Sequence, residues 1–273
     1  MAVTHRSGPS RFLPLVLALV AVFSNTARLQ QGSVMAAIFT AVKAFDVEAL
    51  RRELAAGVDP DILEDGPYSA TPLTYAVLHR KRKVTKRLQE RLECISVLLE
   101  AGASVDTLRG ATLLHTIAGS KYPAYTAVIA ALVEAGADVN FKRTASYGPG
   151  WHRSVLAHAA ADGTAGAVRL LISAGAVDLD RALKFAIANG KQRSCTLLLR
   201  AGAAIPAAVF DATDRGPPQT RAYIERIRAA GGYKAYVRVH RQRLVAIFLP
   251  KLPHLPHLLL GRVLEFTWDI GGH

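Results

Sequence analysis

Four histidines, His115, His158, His254 and His257, and two cysteines, Cys94 and Cys195, are the residues whose chemistry first invites a metal or an acid–base pair. A zinc site needs three or four nitrogen, sulfur or carboxylate ligands at short, matched spacings. No cysteine or carboxylate cluster completes such a set beside these histidines, so neither a metal nor a cofactor is expected. The chain also lacks G-x-S-x-G, H-E-x-x-H and a glycine-rich phosphate loop after a strand, the spacings that nucleophilic, metallohydrolase and nucleotide chemistry require. Its recurrent carboxylates, at 59, 61, 106, 138, 178 and 180, fall in short turn phrases, where Asp favours the turn itself. The expectation is a protein without a catalytic step.

Two other groups have types suited to binding. Arg80, Lys81, Arg82 and Lys83, followed by Lys86 and Arg87, form a basic run that reads either as a solvated helix extension or as a patch for an acidic partner or nuclear import. Tyr147 and Trp151 stand in the loop Tyr147-Gly148-Pro149-Gly150-Trp151-His152. Aromatic residues of this kind anchor interfaces when exposed, and otherwise tuck back against their own domain. The formal charge of +13 attracts nucleic acid, acidic protein surfaces or anionic lipid. Arg-favouring genomes give the same charge without nucleic-acid binding, so a protein partner is the expectation and nucleic acid is not.

The elements that position these residues are helical. Hydrophobic residues make up 51% of the 273 positions but aromatics only 7%, and the balance is Ala, Leu and Val, a composition for closely packed helices. Cys94 and Cys195 sit inside apolar helical runs, which fits buried thiols better than a disulfide framework. Residues 1–34 differ from the rest. His5, Arg6 and Arg11 precede an apolar stretch from Phe12 to Phe23 and then small residues, the order of a signal peptide. The rival reading makes Met35 the true start and 1–34 an upstream extension. The first reading places the chain in the secretory pathway and the second in the cytoplasm or nucleus, which thiols and a lack of N-x-[ST] sequons favour; a membrane partner is expected only if 12–23 are retained.

One phrase recurs. LAAGVD (54–59), LEAGASVD (99–106), VEAGADVN (133–140), ISAGAVDLD (172–180) and LRAGAAI (199–205) each end an apolar helical run on Ala-Gly. Gly just past a helix takes the left-handed conformation and stops it sharply. A second phrase precedes four of the five runs. Thr71-Pro72-Leu73-Thr74-Tyr75-Ala76, Thr112-Leu113-Leu114-His115-Thr116-Ile117-Ala118, Ser154-Val155-Leu156-Ala157-His158-Ala159-Ala160 and a degenerate Arg181-Ala182-Leu183-Lys184-Phe185-Ala186 begin with a cap residue in three cases of the four.

These phrases resemble the ankyrin repeat, T-P-L-H-x-A-A, a glycine turn, an apolar second helix, then L-L-x-x-G-A-x-V-N. The resemblance covers residues 36–205. It implies an all-α solenoid of five to six stacked helix-turn-helix units with short hairpin loops, acting as a protein-interaction scaffold on its concave face. The terminal glycines at 57, 102, 136, 175 and 202 step by 45, 34, 39 and 27 residues, against a regular step of about 33. The insertions behind the long steps, 79–93 and 141–153, fall on loops or helix extensions, where solenoids often bind.

Residues 206–248 read as a degenerate sixth unit and a basic amphipathic helix that either caps the last repeat or lies on a membrane surface, with Tyr233, Tyr236, Val237, Leu244 and Ile247 on one side. Within 249–273, Leu255, Pro256, Leu259, Val263 and Phe266 resemble the opening of an F-box. That resemblance implies an alternative role as substrate-receptor adaptor of a cullin-type ubiquitin ligase, with a Skp-type subunit as partner. The other reading of this segment is an apolar helix on the end of the solenoid.

Overall fold

The computed structural model describes residues 36–64, 70–78, 87–105, 112–141, 153–206 and 216–251. Every regular element among them is helical: α1 (36–44), α2 (Val47–Ala55), α3 (Pro72–Leu78), α4 (Leu88–Glu100), α5 (Leu113–Ala118) and α6 (Tyr125–Glu134). α7 (Val155–Asp162), α8 (Ala165–Ser173), α9 (Leu179–Ala188), α10 (Gln192–Arg200), α11 (Pro218–Ala229) and α12 (Tyr233–Phe248) complete the set, with a 3-10 turn at Leu249–Lys251. The chain divides into two compact units, 1–79 with 93–103 and 80–92 with 104–273, so α4 passes from one into the other.

The first unit is built on Ile38 and Val42 of α1, Leu50 of α2, Leu73 and Val77 of α3, and Ile95 and Leu98 of α4, all fully buried. Their three- and four-residue spacing puts them on one stripe of each helix. Phe45 turns the chain between α1 and α2 with a φ of 55°. Asp46 then caps α2, its carboxylate accepting from the Ala49 amide at 2.9 Å.

In the second unit α5 pairs with α6, α7 with α8, and α9 with α10. α7 also packs on α5 and α9, while α8 packs on α6 and α10, so first helices form one row and second helices another. Ala157, Ala159, Ala160 and Ala161 are buried in α7; side chains this small let both neighbouring helices approach closely. α12 packs against α11 and α10.

The same local devices start and stop these helices. Thr112, Ser154 and Thr164 hold extended backbone at the N-caps of α5, α7 and α8 and accept the amides of His115, Ala157 and Ala167. Thr71 accepts from the Thr74 amide in the same way. At the end of α8, Gly175 adopts φ +86°; its amide donates to the Ile172 carbonyl at 3.1 Å, and the Ala176 amide donates to the Leu171 carbonyl at 3.0 Å. This paired closure satisfies two carbonyls that a helix end otherwise leaves open. It recurs at Gly57, Gly102, Gly136 and Gly202.

Turn carboxylates and amides tie consecutive turns together. Asp138 accepts from the Asn140 amide at 2.8 Å, while the Asn140 side chain donates to the Gly175 carbonyl at 3.3 Å and accepts from the Val177 amide at 3.0 Å. Ser154 donates to Asp178 at 2.7 Å, and Asp180 accepts from the Ala204 amide at 2.7 Å.

Two sequence readings are sharpened. α4 has 13 residues where α6, α8 and α10 have ten, nine and nine, so the described part of the 79–93 insertion lengthens a second helix. Arg91, within that part, is buried and its charge acts on Tyr125, while Arg87, the one member of the basic run among the described residues, is exposed. In α12, Tyr233, Tyr236, Val237 and Leu244 are half-buried as expected, but Ile247 is 53% exposed and Val245 is the buried residue. The exposed residues 246–248 form its last turn.

Candidate functional site

All the site residues expected from sequence (Arg80, Lys81, Arg82, Lys83, Tyr147, Trp151, Leu255, Pro256, Leu259, Val263 and Phe266) lie outside the described residues. The site that can be built belongs to the row of first helices in the second unit.

It begins with the caps. Because Thr112 fixes the start of α5, His115 is held with its ring buried, and Nε2 lies 3.0 Å from the Arg153 carbonyl. A carbonyl can only accept, so Nε2 carries the proton. His158 Nδ1 lies 2.9 Å from the His115 carbonyl and carries its proton for the same reason. The two rings stand 4.9 Å apart, linking α5 to α7. Gly119 leaves room for this arrangement: a Cβ there would stand 2.3 Å from His158 Nε2.

Beyond the histidines runs a charged and aromatic line. Arg153 Nη1 donates to Asp162 Oδ2 at 3.1 Å, and His158 Nε2 lies 3.9 Å from the same oxygen. The Arg153 guanidinium sits over the Phe185 ring of α9 at 4.4 Å, a geometry that stabilises a cation on a π face. Beside His158 opens a cleft of about 300 Å³ lined by Thr116, Gly119, Ser120, Lys121, Tyr122 and Tyr125. Lys121 and Tyr122 are exposed at its rim, whereas Tyr125 is buried, and burial raises its phenol above the ordinary range against the lowering charge of Arg91.

The four first-helix phrases explain why this face varies. Counting from the cap position, the fifth places hold Tyr75, Thr116, His158 and Phe185, all half-buried. Neighbouring places are fixed by packing: Leu73, Ala76, Leu114, Ile117, Leu156, Ala159, Leu183 and Ala186 are buried. The fifth place therefore combines contact with the frame and access to solvent.

Tyr75 belongs to a separate cluster in the first unit. Lys43 Nζ donates to Glu64 at 2.6 Å and lies 4.7 Å over the Tyr75 ring; Tyr75 donates its hydroxyl to the other Glu64 oxygen, and Phe39 meets Tyr75 edge-on at 5.4 Å. Partial burial pushes the Glu64 carboxyl upward, but the hydrogen bonds from Lys43 and Tyr75 and the Lys43 charge outweigh it and leave the group below its usual value. Its bond to Glu64 holds the Lys43 ammonium above its usual value against partial desolvation.

Both thiols are buried and reduced, and burial pushes Cys195 up to about 12. The hydroxyls of Thr112 and Ser154 serve as caps. Among the described residues no group of three or more His, Cys, Asp or Glu is placed to hold a metal ion, and no helix is long and apolar enough to cross a membrane.

Sequence reasoning missed the Arg153–Asp162–His158–Phe185 line. Its one available signal was positional, the fifth place shared by His158 and Phe185 in two copies of one phrase. No protein-family model matches the chain, and no curated protein is significantly similar to it.

Proposed function

We propose that this chain is an ankyrin-type repeat scaffold that holds a protein partner on the face formed by α5, α7 and α9 and their adjoining loops, with no catalytic step. The observation that carries the reading is a constant frame bearing a variable surface. Caps, glycine stops and turn-to-turn hydrogen bonds recur, while the equivalent half-buried fifth places hold Thr116, His158 and Phe185. A stack of units that bury their constant positions against one another leaves such places for recognition. The neighbouring cleft supplies exposed Lys121 and Tyr122 at the same face, residue types able to supply charge complementarity and anchor contacts.

The test compares two charge-matched variants of the full chain. Lys121→Glu with Lys184→Glu changes exposed residues beside the α5–α7–α9 row, and Arg169→Glu with Arg193→Glu changes exposed residues of α8 and α10. The first pair is expected to weaken a partner captured by the wild-type chain by at least about tenfold, mainly through association rate. The second is expected to leave it bound. Equal losses from both pairs would reject the assignment of the face.

A further inference from the structure

Between Lys191 and Lys251 the described residues hold eleven Lys or Arg and one carboxylate, Glu225; described residues 36–64 hold three cations and six carboxylates. Among the described residues the positive charge is thus concentrated on α10, α11 and α12. Of these helices α10 and α12 carry no acidic residue.

The packed face of α12 is marked by Tyr233, Val237 and Leu244, all half-buried, and at its edge the Tyr236 ring meets Tyr223 of α11 edge-on at 5.9 Å. At about 100° per residue, Val239, Gln242 and Ala246 form a line on the opposite side, and all three are exposed. Lys234 and Arg238 flank that line on one side and Arg243 on the other, all exposed. No ion pair of these three cations occurs among the described residues. Where α12 ends, Ile247 is 53% and Phe248 38% exposed. The helix therefore has two faces, one packed on the fold and one amphipathic toward solvent.

We propose that the outward face of α12 docks on an anionic lipid bilayer, with Lys234, Arg238 and Arg243 at the headgroups and Val239 and Ile247 in the headgroup–acyl boundary. Charge complementarity selects an anionic partner. The exposed aliphatic side chains favour a bilayer over a nucleic acid, since a phosphate backbone makes no use of Val239 or Ile247 while an interfacial helix buries such groups. Each Lys or Arg near an anionic leaflet contributes roughly fivefold in partitioning, and the attraction fades within a Debye length.

The experiment is co-sedimentation of the full chain with phosphatidylcholine vesicles, with and without phosphatidylserine. Binding is expected only to the phosphatidylserine vesicles, with release at high salt. Arg238→Gln with Arg243→Gln is expected to lower partitioning roughly thirtyfold. Val239→Ser with Ile247→Ser is expected to lower it at unchanged charge. All four positions are exposed, so helical circular dichroism and the thermal transition stay as in the wild type and report on folding. The proposal is overturned by equal binding to neutral vesicles, which assigns the affinity to an apolar segment such as 12–23. It is equally overturned by full binding of either double variant, or by a preference for duplex DNA over vesicles of equal anionic charge.

Discussion

Replacing Gly163 with alanine tests whether α5 is stacked on the α7–α8 pair as closely as described. Gly163 has φ −77° and ψ −162°, extended backbone that any residue adopts. Space is what the position lacks. A Cβ there would stand 2.3 Å from the Ala118 carbonyl oxygen of α5 and 2.7 Å from that of Ala159, where ordinary C···O contacts begin near about 3.3 Å. Relief needs a shift of about 1 Å between backbone segments, since no flexible side chain is in the way. Forced overpacking of this kind costs about 1–3 kcal/mol and more where backbone must move; we expect about 3 kcal/mol. Gly175→Ala is the control. It meets nothing within 4 Å, but its φ of +86° strains an L-residue, at about 1–2 kcal/mol. Any loss of unfolded-state entropy is common to both substitutions. Urea unfolding of the full chain, followed by far-UV circular dichroism, reads the difference. A 3 kcal/mol loss moves the midpoint down by roughly 1–2 M. If Gly163→Ala is no more harmful than Gly175→Ala, the close stacking of α5 on α7 is wrong.

Further outcomes follow from other contacts. Ser154→Ala removes both the cap on Ala157 and the bond to Asp178; a loss of about 1–2 kcal/mol is expected in the same urea assay, with most of it restored by Ser154→Thr. Glu64 is held below the carboxylate value of 4.5 by Lys43 and Tyr75. Its contribution is therefore complete above that pH and fades as the pH falls through the lowered value. Glu64→Gln costs less than about 1 kcal/mol at neutral pH because the pair is partly solvated, and the difference from wild type shrinks on acidification in pH-dependent unfolding. Cys94 and Cys195 are both buried, and Cys195 is pushed up to about 12, so neither reacts with a thiol reagent in mildly alkaline buffer until denaturant is added.

Much of this architecture can be read from local sequence because its devices are local. A cap acts on an amide three residues on, and a glycine stop closes on the preceding turn, so Thr112, Ser154 and the five Ala-Gly stops announce helix limits without reference to distant residues. The same holds for Asp138, whose turn bond spans two residues. What cannot be read depends on neighbours far along the chain. Gly119 looks like a helix end in sequence, yet its lack of a side chain makes room for His158. Arg91 lies beyond the basic run and nothing in its local sequence marks it for burial, although packing buries it. Arg153 and Phe185 meet across 32 positions, a pairing no short pattern encodes. Ile247 has the spacing of a packed residue and is exposed all the same.

The claim that the α5–α7–α9 face receives a protein partner is tested most directly by hydrogen–deuterium exchange on the full chain, alone and with a captured partner at saturation. The account predicts that added protection falls on 116–125, 155–163 and 181–190. Protection confined to α6, α8 and α10, or binding without added protection on the first-helix row, would contradict it.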